Sequence, residues 1–217
     1  REAIYDAFRR KETFATTGSR IKVRFFAGHD LDSSLLTDSA AVSNAYQKGV
    51  SMGSDLLDVE ASVPNFFVWA IQDAKRAPLD RVQIIKGWVD SSGRPYEKIF
   101  DVACSNQNKI DPITNRCPDN GAEVNLDTCA ISTDTGASEL KAVWTDPEFD
   151  SKNKAFYYVR VLENPSCRWS TWDAVNNGKK PRSDIHATIQ ERAWSSPIWF
   201  IPKETGAVWT NIMEDEK

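Results

Sequence analysis

The sequence predicts a mainly β protein: an antiparallel β-sandwich of about seven strands with long loops, preceded by one N-terminal α-helix. Three observations carry this expectation. Seven runs rich in Val, Ile, Phe, Tyr or Trp read as strands. Turn-forming residues, not alternating helices, separate them, so neighbours pair antiparallel and two packed sheets bury their apolar faces. Helical spacing is convincing in one place only, at the start of the chain.

That first element covers residues 1 to 12. Ala3, Ile4, Ala7 and Phe8, with Tyr5 beside them, lie along one apolar stripe, and Gly18 is placed as a helix stop. A helix of about three turns is marginal alone and needs something to cover its stripe. The tight basic cluster RRK at 9 to 11 reads as a cationic last turn facing the helix dipole.

The period then changes to two. Ile21, Val23 and Phe25 alternate with Lys22, Arg24 and Phe26. Six further runs follow: Asn65 to Gln72, Arg81 to Val89, Tyr96 to Cys104, Glu139 to Trp144, Ala155 to Glu163, and Ser196 to Ile201. SSGRP at 91 to 95 is hairpin chemistry, and DPEFDSKNK at 146 to 154 reads as a second hairpin. Three long irregular segments interrupt the strands. Residues 28 to 64 hold a short helical stretch near Ala40 to Tyr46, 105 to 138 hold a cysteine loop, and 165 to 194 hold RWSTWDAV, about one helical turn. Loops of this length in a compact domain are functional or need pinning. The tail after Pro202 is expected to fray.

Composition narrows the function classes. Of 217 residues, 41% are apolar and 27% charged, the balance of an ordinary globular protein. A formal charge of −4 without a basic face argues against nucleic-acid binding. No apolar run reaches the roughly 18 residues of a membrane span.

Cysteines lie at 104, 117, 129 and 167, with no C-x-x-C pair and only two histidines in the chain. Two disulfides in an oxidising compartment fit best, ahead of buried thiols or a metal site. Four cysteines allow three pairings. The preferred one joins Cys117 to Cys129 within the loop and Cys104 to Cys167 between strand ends.

The common catalytic motifs fail simple tests. Two histidines cannot build a multi-imidazole centre, G-x-S-x-G is absent, and GVSMGSD at 49 to 55 is neither a P-loop nor a dinucleotide fingerprint. HDLD at 29 to 32 and DPEFD at 146 to 150 read as solvated loop clusters rather than cation sites. Tryptophan is the one excess, with eight in the chain. In the segment 168–199, Trp169, Trp172, Trp194 and Trp199 are interleaved with Arg168, Glu191 and Arg192. These residues cap the core, build an interface or form a ligand platform, and the first reading is favoured.

Four stretches carry a family likeness: REAIYDAFRRKETFATTGSRI, ELKAVWTDPEFD, AFYYVRVLENPSCRWSTWDA and ATIQERAWSSPIWF. They resemble the C-terminal part of a bacterial family known only as a domain of unknown function. That family is similar to the polymerase-and-histidinol-phosphatase (PHP) superfamily of metal-dependent phosphoesterases. The likeness runs from Arg1 to Pro202. It implies an upstream PHP-like α/β barrel that carries the His and Asp ligands of a multi-metal centre. None of those ligand motifs matches a position here, so divalent metals are expected upstream and no cofactor in this segment.

On this reading, residues 1–19 are the last barrel helix and hinge, with Thr16, Thr17, Gly18 and Arg20 at the junction. Residues 20–202 are an accessory sandwich, and 203–217 are a tail. The absence of a start methionine at Arg1 agrees with an upstream domain. The expected function is a non-catalytic accessory domain of an exported, periplasmic or extracellular, PHP-like hydrolase. The expected partner is the upstream barrel of the same polypeptide, with homodimerisation through an exposed first helix as a further expectation. Two other classes remain. One is a carbohydrate- or surface-binding module using the tryptophans of 168–199. The other is an autonomous enzyme with paired carboxylates.

Overall fold

Period-two alternation gives each strand two faces, and what each face carries decides how the layers stack. The computed structural model describes residues 1–59 and 62–203. Its helices are α1 (Glu2–Arg9), α2 (Ala41–Lys48) and α3 (Trp169–Asn176). Its strands are β1 (Phe14–Thr16), β2 (Lys22–Gly28), β3 (Val50–Ser51), β4 (Asp55–Leu57), β5 (Asn65–Ile71), β6 (Leu79–Val89), β7 (Pro95–Cys104), β8 (Glu139–Thr145), β9 (Ala155–Glu163), β10 (Ser166–Cys167), β11 (Thr188–Ile189), β12 (Arg192–Ser195) and β13 (Ile198–Ile201).

The smaller sheet has the order β3-β2-β5-β8 and is antiparallel throughout. In the larger sheet β9 is central. One edge pairs with β6, which forms the hairpin with β7. The other edge is shared by β12, opposite Arg160 to Leu162, and β13, opposite Ala155 to Tyr157. Ser196 and Pro197 separate those two strands; proline offers no N–H to a ladder. β1 pairs antiparallel beyond β12, and β4 pairs parallel beyond β13. β10 and β11 form a separate two-stranded ribbon.

The sheets meet face to face as the expected antiparallel sandwich. Val23, Phe25, Phe66 and Val68 pack against Val82, Ile84, Phe100, Tyr157 and Val159, all essentially unexposed. The Phe66 and Tyr157 rings lie 4.4 Å apart, and Trp144 bridges Phe66 and Phe100. Each such large side chain contributes about 1.5–3 kcal/mol on burial.

A second apolar layer covers the outer face of the smaller sheet. Phe26 and Phe67 sit beneath Leu35, from a 3₁₀ turn at Ser33–Leu36, Ala41 and Ala45, from α2, and Leu31, from the loop that precedes the turn. Burial on both faces explains why β5 reads as a nearly continuous apolar run and why β2, alternating at Lys22 to Arg24, becomes apolar on both faces from Phe25 to Ala27.

At one end of the sandwich, Lys86 points inward from β6. Its Nζ donates to Asp146 Oδ2 at 2.5 Å, and the Tyr157 hydroxyl donates to the same oxygen at 2.8 Å. Burial, with Asp146 beside it, pushes the Tyr157 phenol well above its ordinary value. DPEFD is therefore only partly solvated: Asp146 is 3% exposed, whereas Glu148 and Asp150 face solvent as expected. The segment 146–154 is also not a hairpin. It carries the chain from β8 in one sheet to β9 in the other.

Two further expectations need correction, and one lies outside the described residues. α1 stops at Arg9, and the chain then turns at Lys11 with φ 56°, so Gly18 lies between β1 and β2 instead of ending the helix. Gly53 lets the turn after α1 pack close against it. Its φ is +91°, and a Cβ there would stand 2.3 Å from the Lys11 carbonyl oxygen. RWSTWDAV opens a helix of eight residues, not one turn. Residues 204–217, most of the expected tail, lie outside the described residues.

All four cysteines are joined, but by the other pairing: Cys104 with Cys117, and Cys129 with Cys167. The loop after β7 doubles back along that strand, where the Asp101 amide donates to the Asn115 carbonyl and Asp101 Oδ2 accepts from the Cys117 amide at 2.7 Å. That return brings Cys117 to Cys104. The next excursion, closed by the Val124–Ile131 bridge, carries Cys129 across to β10.

Candidate functional site

On the outer face of the larger sheet, alternation places charged side chains instead of apolar ones. Cross-strand pairing lines up Asp101 (β7), Gln83 (β6) and Arg160 (β9) in one row, and Arg81 (β6), Leu162 (β9) and Arg192 (β12) in the next. Diagonal neighbours in such rows lie within reach of long side chains. Arg160 and Arg192 are therefore brought together by register, not by sequence proximity.

This face is the floor of a cavity of about 920 Å³. The two long loops form its walls. Arg116, Cys117, Asp119 and Asn120 come from the loop after β7, and Arg168, His186 and Gln190 from the segment around α3 and β11. The two disulfides hold this frame. One ties the first loop to the end of β7, and the other ties it to β10, next to Arg168.

Asp101, 3% exposed, organises the floor. Its Oδ1 accepts from Gln83 Nε2 at 2.6 Å and from Arg116 Nη1 at 3.3 Å, while Arg81 Nε lies 3.7 Å from Oδ2. Gln83 passes the order on, because its Oε1 accepts from Arg160 Nε at 2.7 Å. Arg160 is thus held by Nε, with no hydrogen bond to either Nη among the described residues. Arg81 also pairs with Asp80, whose Oδ2 accepts from Gln190 Nε2 at 3.0 Å. Burial pushes the Asp80 carboxyl above its ordinary range despite Arg81 beside it. Burial likewise pulls Arg160 below its ordinary value, helped by the charges of Arg192 and Arg116.

Five guanidiniums face three carboxylates in this lining, an excess of two positive charges in a chain whose formal charge is −4. Arg160, Arg168 and Arg192 have no ion-pair partner among the described residues. The arrangement is equipped to hold an anion. Its sulfur atom, in Cys117, is locked in a disulfide.

The residues singled out in the sequence divide into three groups. Arg168 and Arg192 line the cavity. Trp169 and Trp172 project from α3 and are 68% and 38% exposed. Trp194 is half-buried in β12 between Ala15 and Arg160. Glu191 turns away to the junction, where its carboxylate accepts from the Thr17 hydroxyl. Thr17 in turn accepts from the Arg192 amide at 2.9 Å, Thr16 pairs with Ala193, and the Arg20 amide donates to Asp73 Oδ2 at 2.9 Å. Gly18 lies beside Glu191 in open space.

Sequence reading missed Arg81, Gln83, Asp101, Arg116 and Arg160. A usable signal existed. Within β6 and β9, polar residues at Gln83 and Arg160 fall on the positions opposite to Ile84 and Val159, which marks a charged outer face.

The other polar clusters are smaller. His29 Nδ1 is 2.7 Å from the Ser62 hydroxyl, and Asp32 caps the 3₁₀ turn through the Ser34 amide. Among the described residues, no three His, Cys, Asp or Glu side chains are grouped to hold a metal ion.

The family model described as "Protein of unknown function (DUF3604)" matches residues 1–202. No curated protein and no solved structure matches the chain.

Proposed function

From the premise that this chain belongs to the DUF3604 family, we propose that it is a non-catalytic accessory domain of an exported metal-dependent hydrolase similar to the PHP phosphoesterases. The observation that carries the reading is the bare face of α1. None of its residues is buried, and Ile4, Tyr5 and Phe8 are 63%, 61% and 67% exposed on a strongly amphipathic helix. A stripe of this kind ordinarily faces a partner. The helix is nevertheless anchored, because β1 pairs with β12 immediately after it.

The exposed helix supports the following division. Within the segment 1–19, α1 docks on an upstream PHP-like barrel of the same polypeptide while β1 already pairs with β12; residues 20–202 make up the rest of the sandwich, and divalent metals belong to the barrel. Periplasmic or extracellular placement fits the two disulfides. Among the described residues no helix is long and apolar enough to cross a membrane.

The test compares phosphomonoester and phosphodiester hydrolysis by the chain alone and by the chain joined to the region upstream in its reading frame, with Mn²⁺ or Zn²⁺. The chain alone is expected to show no turnover. The double variant Ile4→Ser, Phe8→Ser should weaken the joined protein while leaving the melting of the isolated chain nearly unchanged. Turnover by the isolated chain that survives metal-free purification, and that one substitution within it abolishes, overturns the reading. Sedimentation of the isolated chain reports whether the same stripe instead drives homodimerisation.

A second reading, a carbohydrate- or surface-binding module, is favoured by one observation. Trp169 and Trp172 stand three residues apart on α3, both substantially exposed. Quenching of indole fluorescence by oligosaccharides, lost in Trp169→Ala, would select it.

A further inference from the structure

We propose that the arginine-lined cavity on the outer face of the larger sheet binds a polar small molecule through an oxyanion, a carboxylate, sulfate or phosphate group. This inference does not depend on whether an upstream domain exists.

Three observations converge on it. The first is uncompensated charge. Arg81 and Arg116 are paired with Asp80 and Asp101, whereas Arg160 and Arg192 have no carboxylate within ion-pair distance among the described residues, and Glu97 acts on Arg160 only from farther away. Like charges this close on a half-buried face repel, and an anion between them removes the cost. The second is an orphan donor. Arg192 Nε is buried with no hydrogen-bond partner among the described residues. A buried donor left unpaired costs about 1–3 kcal/mol, so it marks a place where something else is meant to accept. The third is preorganisation. The relay from Asp101 through Gln83 to Arg160 fixes one guanidinium by Nε, leaving its two Nη groups for a fork-shaped contact with an oxyanion. The disulfide-tied loops keep the opposite wall, with Arg168 on it, in place.

The size of the cavity says more about the ligand. About 920 Å³ is in the range of pockets that hold whole small molecules, not bare ions. The lining is mostly polar, with amides from Asn120 and Gln190 beside the arginines, which suits a hydroxylated or otherwise hydrogen-bonding body.

The test uses the chain itself and inorganic phosphate, sulfate, citrate and acetate as probes, each against sodium chloride at equal ionic strength. Binding is read by calorimetric titration and by thermal shift. The expected result is saturable binding of at least one multivalent oxyanion, tighter than acetate, with no saturable response to chloride. Arg160→Gln combined with Arg192→Gln should weaken that binding at least tenfold, the effect of losing one charge-assisted hydrogen bond or more. Lys179→Gln with Lys180→Gln, on the exposed segment after α3, should leave it unchanged. Circular dichroism and the intact disulfides verify folding of each variant. If the double arginine variant does not fold, Arg168→Gln at the rim provides the same comparison. The ranking among phosphate, sulfate and carboxylate identifies which oxyanion the site prefers. No binding beyond the chloride control, or equal binding by the arginine and lysine variants, overturns the proposal.

Discussion

The two outer faces of the sandwich solve the same covering problem in opposite ways. The smaller sheet turns Phe26 and Phe67 outward, and α2 with a 3₁₀ turn seals them into a dry layer. The larger sheet turns Arg81, Gln83, Asp101, Arg160 and Arg192 outward, and two long loops arch over them without closing. Apolar side chains hold their own cover, because burying them is favourable. Charged side chains hold none, because burial costs them hydration. The loops over the charged face therefore need an external constraint, and both disulfides are spent there. The difference teaches where to look for an anion: the layer sealed under α2 is dry, and the cavity of about 430 Å³ beside it is lined largely by apolar side chains such as Phe14, Val42, Trp69 and Ile71, whereas the stapled face keeps a polar, arginine-lined cavity.

Three experiments would break or sharpen that contrast. The largest effect is expected on the sealed face. Phe67→Ala removes a ring that is 0% exposed and should destabilise the chain by about 3–5 kcal/mol in urea melts. Oxyanion binding by the variant that remains folded should be unaltered, because the cavity lies on the other sheet.

Next comes the stapled face. Cys129→Ser with Cys167→Ser opens a link spanning 38 residues and should cost about 4 kcal/mol by the chain-entropy account. Hydrogen exchange should accelerate in residues 105–138 and 165–191 and stay slow in α2. Uniform acceleration across both faces would show that the disulfides support the whole fold instead of the cavity frame.

The smallest effect is a pH dependence from Glu163, at the end of β9 where the inner face of the same sheet meets the junction. Burial pushes its carboxyl from 4.5 up to about 7, and Glu191 and Asp73 nearby add to the shift. In the unfolded chain the group ionises first, so its contribution to stability falls as pH rises from about 4.5 through about 7. Glu163→Gln should flatten that slope and stabilise the chain by roughly 2 kcal/mol at pH 8. An unchanged slope would mean that the group is hydrated and titrates normally.

Much of the scaffold was legible before the structure. All seven runs identified by composition and alternation became strands, and the SSGRP turn joins β6 to β7 as its residues demand. Asp90 anchors that turn, accepting from the Ser92 hydroxyl and amide and from the Arg94 amide, contacts that hold its carboxyl down at about 2. Short strands escaped notice because their pairing, not their composition, makes them strands. β1 is three residues long and exists only against β12, and β4 only against β13. The reversed disulfide pairing has a similar cause. Sequence proximity favoured Cys117 with Cys129, but the Asp101 carboxylate draws Cys117 back to β7. Arg168 and Arg192 were found through their neighbouring tryptophans, whereas Arg160 and Asp101 were hidden inside strands that read as core.

By itself the sequence determined local matters: which segments extend, where the first helix lies and which face of it is apolar, and that no apolar run is long enough for a membrane-spanning helix. These depend on period and turn chemistry, which act over a few residues. The tertiary structure alone decided which cysteines meet and which charges share a cavity. Gln83 and Arg160 are 77 residues apart and become hydrogen-bonded neighbours only through the register of β6 on β9. Register is set by the packing of the whole core, so no local pattern can announce it.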